Sequence, residues 1–364
     1  MKKIVNCLMA LLIVLMFACE KNGGNNPPPD PNDTTKVDTT DTTHVDPPHV
    51  DTIKIDTTFI SNGMINIIIE GQSYYETVRI PRDEPTLLKF RNNLIVTTNE
   101  EGYLLQAGDE SPGSENNMLD DEIVTGNKLV WLGTNSNSII THGLFVGYNI
   151  NSVVKYNYLQ DVPYGIIFKS GTDDGHNMTF TSGGCSYNIT KNGHFGGRVK
   201  GINGVKFTNN TFYNGDGSGW YLLLITANMD RVTPAGSKDI KVYNNIFYSS
   251  TQIPMIAIES GSLSGFESDY NIFWCEDGDP IFRIEDTNKT WAQWQALGYD
   301  QHSVVINPNF EDNYSFIPKE RLDFGKDLGV GFDIGISVDN NWTPGVSTIT
   351  TKQQGMWQVG AVIY

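Results

Sequence analysis

A short pattern returns five times between residues 151 and 286: Tyr156-Asn157-Tyr158, Tyr187-Asn188-Ile189, Asn209-Asn210-Thr211-Phe212, Asn244-Asn245-Ile246-Phe247 and Tyr270-Asn271-Ile272-Phe273. Its second residues, all asparagine, stand 31, 22, 35 and 26 positions apart. Recurrence at roughly 20–50 residues marks a solenoid or another repeat array, in which each unit buries its apolar face only against its neighbours. The uneven spacing predicts a common coil with loops inserted in some turns. Ahead of two of these asparagines, Val205 and Phe207, then Ile240 and Val242, alternate with Lys206, Lys241 and Tyr243. That period of two predicts a strand with one buried face. Phe212, Phe247 and Phe273 follow two places after their asparagines, and a second apolar run completes each unit: Gly165-Ile166-Ile167-Phe168, then 220–225, 254–258 and 280–284. None of these units carries a helical pattern. Parallel β coils wound about one axis meet every condition, with equivalent residues about 4.8 Å apart on successive coils.

Asparagine suits such a corner because it tolerates left-handed backbone and because its amide bonds to backbone or to the next asparagine in a stack. The asparagine and phenylalanine columns resemble those of the pectate-lyase-like superfamily of right-handed parallel β-helices. Asn307-Pro308-Asn309-Phe310-Glu311-Asp312, Phe316-Ile317-Pro318, Leu328-Gly329 and Trp357-Gln358-Val359-Gly360-Ala361 are similar to the closing segment of secreted bacterial β-helix proteins. The resemblance covers roughly residues 127–364 and implies an all-β, right-handed parallel β-helix.

Because solenoids grow by adding coils, a chain of 364 residues fits one long domain as well as several average ones. With 36 Gly, 17 Phe and 16 Tyr against 18% charged residues, the composition suits a turn-rich all-β protein. A net charge of −17 argues against a nucleic-acid partner and makes any polyanionic ligand depend on a local basic patch.

Residues 1–18 read as a signal peptide: Lys2 and Lys3 are followed by an apolar run, 4–17, too short for the ~20 residues that span a bilayer. Leu15-Met16-Phe17-Ala18-Cys19 resembles a bacterial lipobox, which implies lipidation of Cys19 and a cell-envelope protein anchored in the outer membrane, periplasmic or surface-exposed. Bulky Phe17 departs from that pattern, and the alternative is ordinary cleavage beside an incidental cysteine. Residues 19–58, rich in Pro, Thr and Asp and nearly free of apolar residues, read as a disordered acidic tether. The β-helix domain is expected over 59–364, with strands at 65–69, 77–80, 87–90 and 94–96 and an acidic loop over 100–122. Asp120-Asp121-Glu122 in that loop suits either Ca²⁺, which takes several carboxylate oxygens, or plain solvent. One short helix is expected near the C-terminus at 291–297, capped by Thr290, ended by Gly298 and packing Trp291 or Trp294 on the solenoid flank. Cys185 falls in the interior column of Val154, Phe207 and Val242. Cys275 falls elsewhere in its coil, so no disulfide joins the two.

A solenoid filled by stacked side chains carries its chemistry outside. Lys169 and Lys200 each lie twelve residues after their asparagine and are expected side by side on adjacent coils, with Arg198 on the face of Lys200. The same offset from Asn271 reaches Arg283, near Glu259. Two stacked lysines repel unless an anion or carboxylate lies between them, so they mark either an anion site or a solvated face. The loop beyond Lys169 adds Asp173, Asp174 and His176, and His142 and His194 lie near the coils.

The family resemblance implies two catalytic patterns. That of the polysaccharide lyases implies Lys169 or Lys200 as base, Arg198 holding an acidic, uronate-containing glycan, and Asp173 and Asp174 binding Ca²⁺. That of the polygalacturonase-like hydrolases is echoed by Asp173-Asp174, Gly193-His194 and Arg198-Val199-Lys200, but Arg198 follows His194 too closely and the first Asn-Thr-Asp element is absent. A third reading is a non-catalytic glycan-binding or adhesive scaffold, with Trp220, Tyr221 and Tyr248 stacking on sugar rings and His194 and Arg283 nearby.

Overall fold

A computed structural model describes residues 56–59, 65–75, 78–80, 86–98, 102–107, 119–120, 123–133, 141–147, 149–170, 179–230, 234–343 and 345–364. Each coil contributes one strand to each of three sheets, nine strands apiece among the described residues. The fourth full coil shows the plan: Val153–Lys155 in the first sheet, Tyr158–Gln160 in the second and Tyr164–Lys169 in the third. Neighbouring coils pair in parallel, and antiparallel strands, Asp56–Phe59 and Thr287–Thr290, close two of the sheets at opposite ends. The chain is a parallel β-helix.

The interior follows from alternation. Phe90, Val124, Val154, Cys185, Phe207 and Val242 stack in register through the first sheet, all buried. Ile95, Leu129, Leu159, Thr190, Phe212, Phe247 and Phe273 do so through the second. The rings of Phe212, Phe247 and Phe273 lie 5.1 Å apart from one to the next, nearly parallel. Cys185 and Cys275 are both buried and free, as their columns require.

Between the first and second sheets the corner is two residues long. Its second residue is the ladder asparagine, and the ladder is longer than the recurring pattern predicts, since Asn93 and Asn127 belong to it. Each side-chain amide donates to the next Oδ1 at 2.9–3.1 Å, from Asn93 through Asn127, Asn157, Asn188, Asn210 and Asn245 to Asn271. Each also donates to a backbone carbonyl one coil back, such as Phe207 O for Asn245. Asn271 ends the series on Asp300, whose carboxylate accepts from it, from Ser303 Oγ and from Trp294 Nε1.

Three expectations are corrected. The left-handed residue is the one before the ladder asparagine: Asn92, Gly126, Tyr156, Tyr187, Asn209, Asn244 and Tyr270 all have φ between 55° and 69°. That residue turns the chain so that the asparagine points inward. Its own side chain points outward to the C-terminal segment: Tyr156 and Tyr187 donate to Ile334 O and Phe332 O, and Asn209 and Asn244 donate to Gln358 O and Lys326 O. Second, the expected acidic loop contains a strand of the third sheet, Gly102–Ala107, because Leu104, Leu105 and Ala107 fill the core. Third, the helix, Trp291–Ala296, has its capping box on Thr290 and Gln293 but covers the end of the core rather than its flank. Trp294 is fully buried and lies 4.5 Å from the Phe282 ring, nearly parallel to it.

The segment after Val304–Val305 returns along the second sheet. Phe316, Ile336, Trp342 and Val362 cover Tyr158 and Ile189, and Leu322 and Val359 cover Ile246 and Ile272. Tyr248, expected to be exposed for sugar stacking, is buried there, 4.6 Å from the Tyr213 ring with its hydroxyl on Glu276.

Candidate functional site

The outer face of the third sheet concentrates polar chemistry. It is built on Thr141–Gly147, Tyr164–Lys169, Phe195–Lys200, Tyr221–Thr226 and Pro254–Ile258, paired in that order. Leu144, Val146, Ile166, Phe168, Val199, Leu223 and Ile225 point inward and are buried, so the intervening residues point out. One outward column runs Phe145, Ile167, Arg198, Leu224, Ala257, Arg283, and the next runs Gly147, Lys169, Lys200, Thr226.

Lys169 and Lys200 therefore stand side by side, and a carboxylate lies between them. Asp230 Oδ2 is 3.0 Å from Lys169 Nζ and 2.6 Å from Lys200 Nζ. The lysine side chains are only 12% and 15% exposed, whereas Asp230 is 49% exposed and lies over them. The two ammonium groups hold the Asp230 carboxyl down at about 2, chiefly through the hydrogen bond from Lys200. The Lys200 pKa is lowered as well, chiefly by burial, and Lys169 and Arg198 add to that against the opposing pull of Asp230.

Arg198 is the exception in this neighbourhood. Its guanidinium carbon lies 5.4 Å from the Phe195 ring centroid, its Nε is buried without a hydrogen-bond partner, and no ion pair joins it to a carboxylate among the described residues. Burial lowers its pKa, with Tyr164, Asp230 and Glu259 opposing, yet an arginine stays charged. Nε is sealed from solvent, so it is the exposed remainder of this half-buried guanidinium, without an ion pair among the described residues, that can partner an anionic oxygen.

Aromatic rings flank these charges. Tyr103, His142, Tyr164, Phe195 and Tyr221 form a column, one ring per coil, with centroids 4.9, 5.0, 4.9 and 5.7 Å apart. Beside it the inward position of Gly196 stays small for the core's sake: a Cβ there would stand 2.7 Å from the buried Phe212 ring. Trp220 is 44% exposed and stacks at 4.3 Å on His194, which is itself buried. His194 thus backs Trp220 rather than facing solvent.

Arg283 does not join the lysines. It shares the column of Arg198, and Glu259 at 3.1 Å and Asp286 at 2.9 Å neutralise it. The fixed offset fails because the corner between the second and third sheets varies in length: Arg198, Leu224 and Ala257 share a column yet lie at different distances from Asn188, Asn210 and Asn245. Asp173, Asp174 and Cys19 lie outside the described residues, as does most of the 120–122 cluster. Among the described residues no group of three or more His, Cys, Asp or Glu side chains is placed to hold a metal ion. Sequence reasoning missed Asp230 and the aromatic column. A lone aspartate in a loop carries no periodicity, and the column was hidden by the same variable corners.

Comparison with family models, with curated proteins and with solved structures gives no match.

Proposed function

We propose that this protein is a lipid-anchored cell-envelope β-helix of the pectate-lyase-like kind, and that the outer face of its third sheet takes an acidic, uronate-containing glycan. The observation that carries the reading is Arg198, a half-buried guanidinium without a carboxylate partner among the described residues, set between a lysine pair and a row of rings. A uronate carboxylate satisfies the guanidinium, and the apolar faces of the sugar rings lie on Tyr164, Tyr221 and Trp220. In a chain of net charge −17, Lys200 and Arg198 stand here with one carboxylate, Asp230, within ion-pair reach among the described residues.

The chemistry that suits such a site is β-elimination. Arg198 neutralises the carboxylate and so acidifies the adjacent carbon. Lys200, its pKa lowered by burial, takes that carbon's proton. The electron pair left behind forms the new double bond as the bond to the glycosidic oxygen breaks, and the departing oxygen takes a proton from water. One observation favours a second reading, binding without turnover: Asp230 contacts both ammonium groups and, at Lys200, opposes the lowering by burial that a base needs.

The test is an assay of purified protein on a panel of acidic polysaccharides, with and without Ca²⁺. Rising near-ultraviolet absorbance from an unsaturated product supports elimination, and binding without it supports the scaffold. Arg198→Ala is expected to abolish either. Equal binding of a neutral glycan by the wild type and this variant refutes the acidic-ligand reading.

A further inference from the structure

We propose that the C-terminal end of the solenoid carries a second binding site, a cavity that takes an alkylammonium group. It lies apart from the Arg198 face and does not depend on what that face binds.

The cavity exists because the last turn of the solenoid is not closed. Ile272–Cys275 pairs over four residues with Ile246–Ser249, but the strand beyond it, Val304–Val305, pairs over only two. The third sheet ends differently, in the hairpin of Ile281–Ile284 and Thr287–Thr290 followed by the helix Trp291–Ala296. The corner between the two sheets is left without a coil above it. A cavity of about 330 Å³ opens there, lined by Asp279, Pro280, Thr290, Trp291, Ala292 and Val305. The chain is described without a break from 234 to 343, which takes in all of these elements.

Trp291 is held from behind. Its ring lies 5.7 Å from that of Phe273 and 5.8 Å from that of Phe282, both fully buried. The capping box fixes it along the chain, with Thr290 Oγ1 accepting from the Gln293 amide and Gln293 Oε1 accepting from the Thr290 amide. Trp294 seals the core, so Trp291 stays partly exposed and lines the cavity. Asp279 is exposed. Its backbone carbonyl accepts from Gln252 Nε2 at 3.2 Å, and its carboxylate has no ion pair or hydrogen bond among the described residues.

The composition of the wall selects the ligand. It offers one carboxylate, one hydroxyl that already serves the helix cap, four apolar residues, and no lysine or arginine. A sugar brings several hydroxyls, and this wall has too few polar groups to pair them once they leave water. An anion meets the Asp279 carboxylate with no cation in the wall to offset it. An alkylammonium group sets its methyl or methylene groups against Pro280, Ala292 and Val305, and its positive head is attracted by both the indole and the carboxylate. The volume stands near the lower bound of small-molecule sites, roughly 300 Å³, which suits one small cation.

The experiment titrates the purified protein, by calorimetry or ligand-observed NMR, with choline and with its neutral isostere, in which a tert-butyl group replaces the trimethylammonium. Choline should bind, the isostere should bind at least about tenfold more weakly, and added salt should weaken choline. Asp279→Asn and Ala292→Arg should each weaken choline about tenfold or more, the first by removing the counter-charge and the second by adding a like one. Both positions are exposed, so these variants keep the test independent of folding, whereas Trp291→Leu also disturbs the core. Arg198→Ala should leave choline binding unchanged. Phosphocholine separates the sources of the cation: binding as tight as that of choline assigns a lipid headgroup, and weaker binding assigns a free cation. Equal binding of the neutral isostere, binding of methyl glucoside in place of choline, or no choline binding by the folded wild type at millimolar concentrations overturns the proposal. So does choline binding that is unchanged in Asp279→Asn or Ala292→Arg, or that is lost in Arg198→Ala.

Discussion

Replacing Asn210 by alanine tests the ladder and the register together. Asn210 Nδ2 donates to Cys185 O at 3.0 Å and Asn245 Oδ1 at 2.9 Å, and its Oδ1 accepts from the amide and the side chain of Asn188, both at 3.0 Å. The variant loses all four bonds, but the damage is uneven. Asn245 Oδ1 still accepts from the Asn210 amide at 2.8 Å, and Asn188 Nδ2 still donates to Val154 O at 2.9 Å. The Asn188 amide loses the acceptor that held it and is left buried. One orphaned donor costs about 1–3 kcal/mol, with the small void adding to it. Asn209→Gly is the matched control. It relieves a left-handed φ of 55° while giving up the bond to Gln358 O and the longer one, 3.3 Å, from Asn244 Nδ2, whose amide keeps its bond to Lys326 O; the gain and the loss are of opposite sign and each about 1 kcal/mol. Thermal or denaturant melts should therefore show Asn210→Ala clearly destabilised and Asn209→Gly near wild type. Equal effects, or no effect at Asn210, would mean that the ladder does not hold the corner.

Two other perturbations follow. Cys19→Ala should release the protein from the membrane fraction or block its processing, and a wild type that takes up no fatty-acid label refutes the anchor. Asp300, fully buried, has its pKa raised by desolvation despite the bonds from Ser303, Trp294 and Asn271. A carboxyl with a raised folded value stabilises most below its unfolded pKa and loses that contribution as pH rises through the folded value. The stability gap between wild type and Asp300→Asn should accordingly narrow as pH increases from mildly acid to alkaline, and a constant gap refutes the assignment.

The coil and its interior were legible because period-two alternation and a repeated asparagine are local signals. Asn157, Asn188, Asn210, Asn245 and Asn271 announced the ladder, while Asn93 and Asn127, flanked by Leu94 and Lys128 rather than by aromatic residues, did not. The left-handed tyrosines were not legible. Tyrosine has no backbone preference for that region, and what holds Tyr156 and Tyr187 there lies 178 and 145 residues away, at Ile334 and Phe332. The pairing of Lys169 with Lys200 could be read from a shared offset, since both coils turn the corner in the same number of residues. Arg283 could not, because its corner is longer. Asp230 needed the structure: its position depends on how a loop folds back through Asn228 onto Ser170.

The C-terminal segment explains why the third sheet carries the site. Sheet faces of a solenoid are alike in backbone, so what distinguishes them is what covers them. On the second sheet, Tyr158, Ile189, Ile246 and Ile272 project outward and are apolar, a face that must be buried, and residues 310–363 bury it. The same segment supplies acceptors to the outward side chains of the adjoining corner. The third sheet instead projects Lys169, Arg198, Lys200 and a column of rings in which Phe195 is buried and Tyr164 and Tyr221 are partly exposed and amphipathic. Burying those cations under a polypeptide strap would require a carboxylate for each, and Asp230 supplies one for two of them. Arg198, left over from that count, is where a ligand's charge has most to gain.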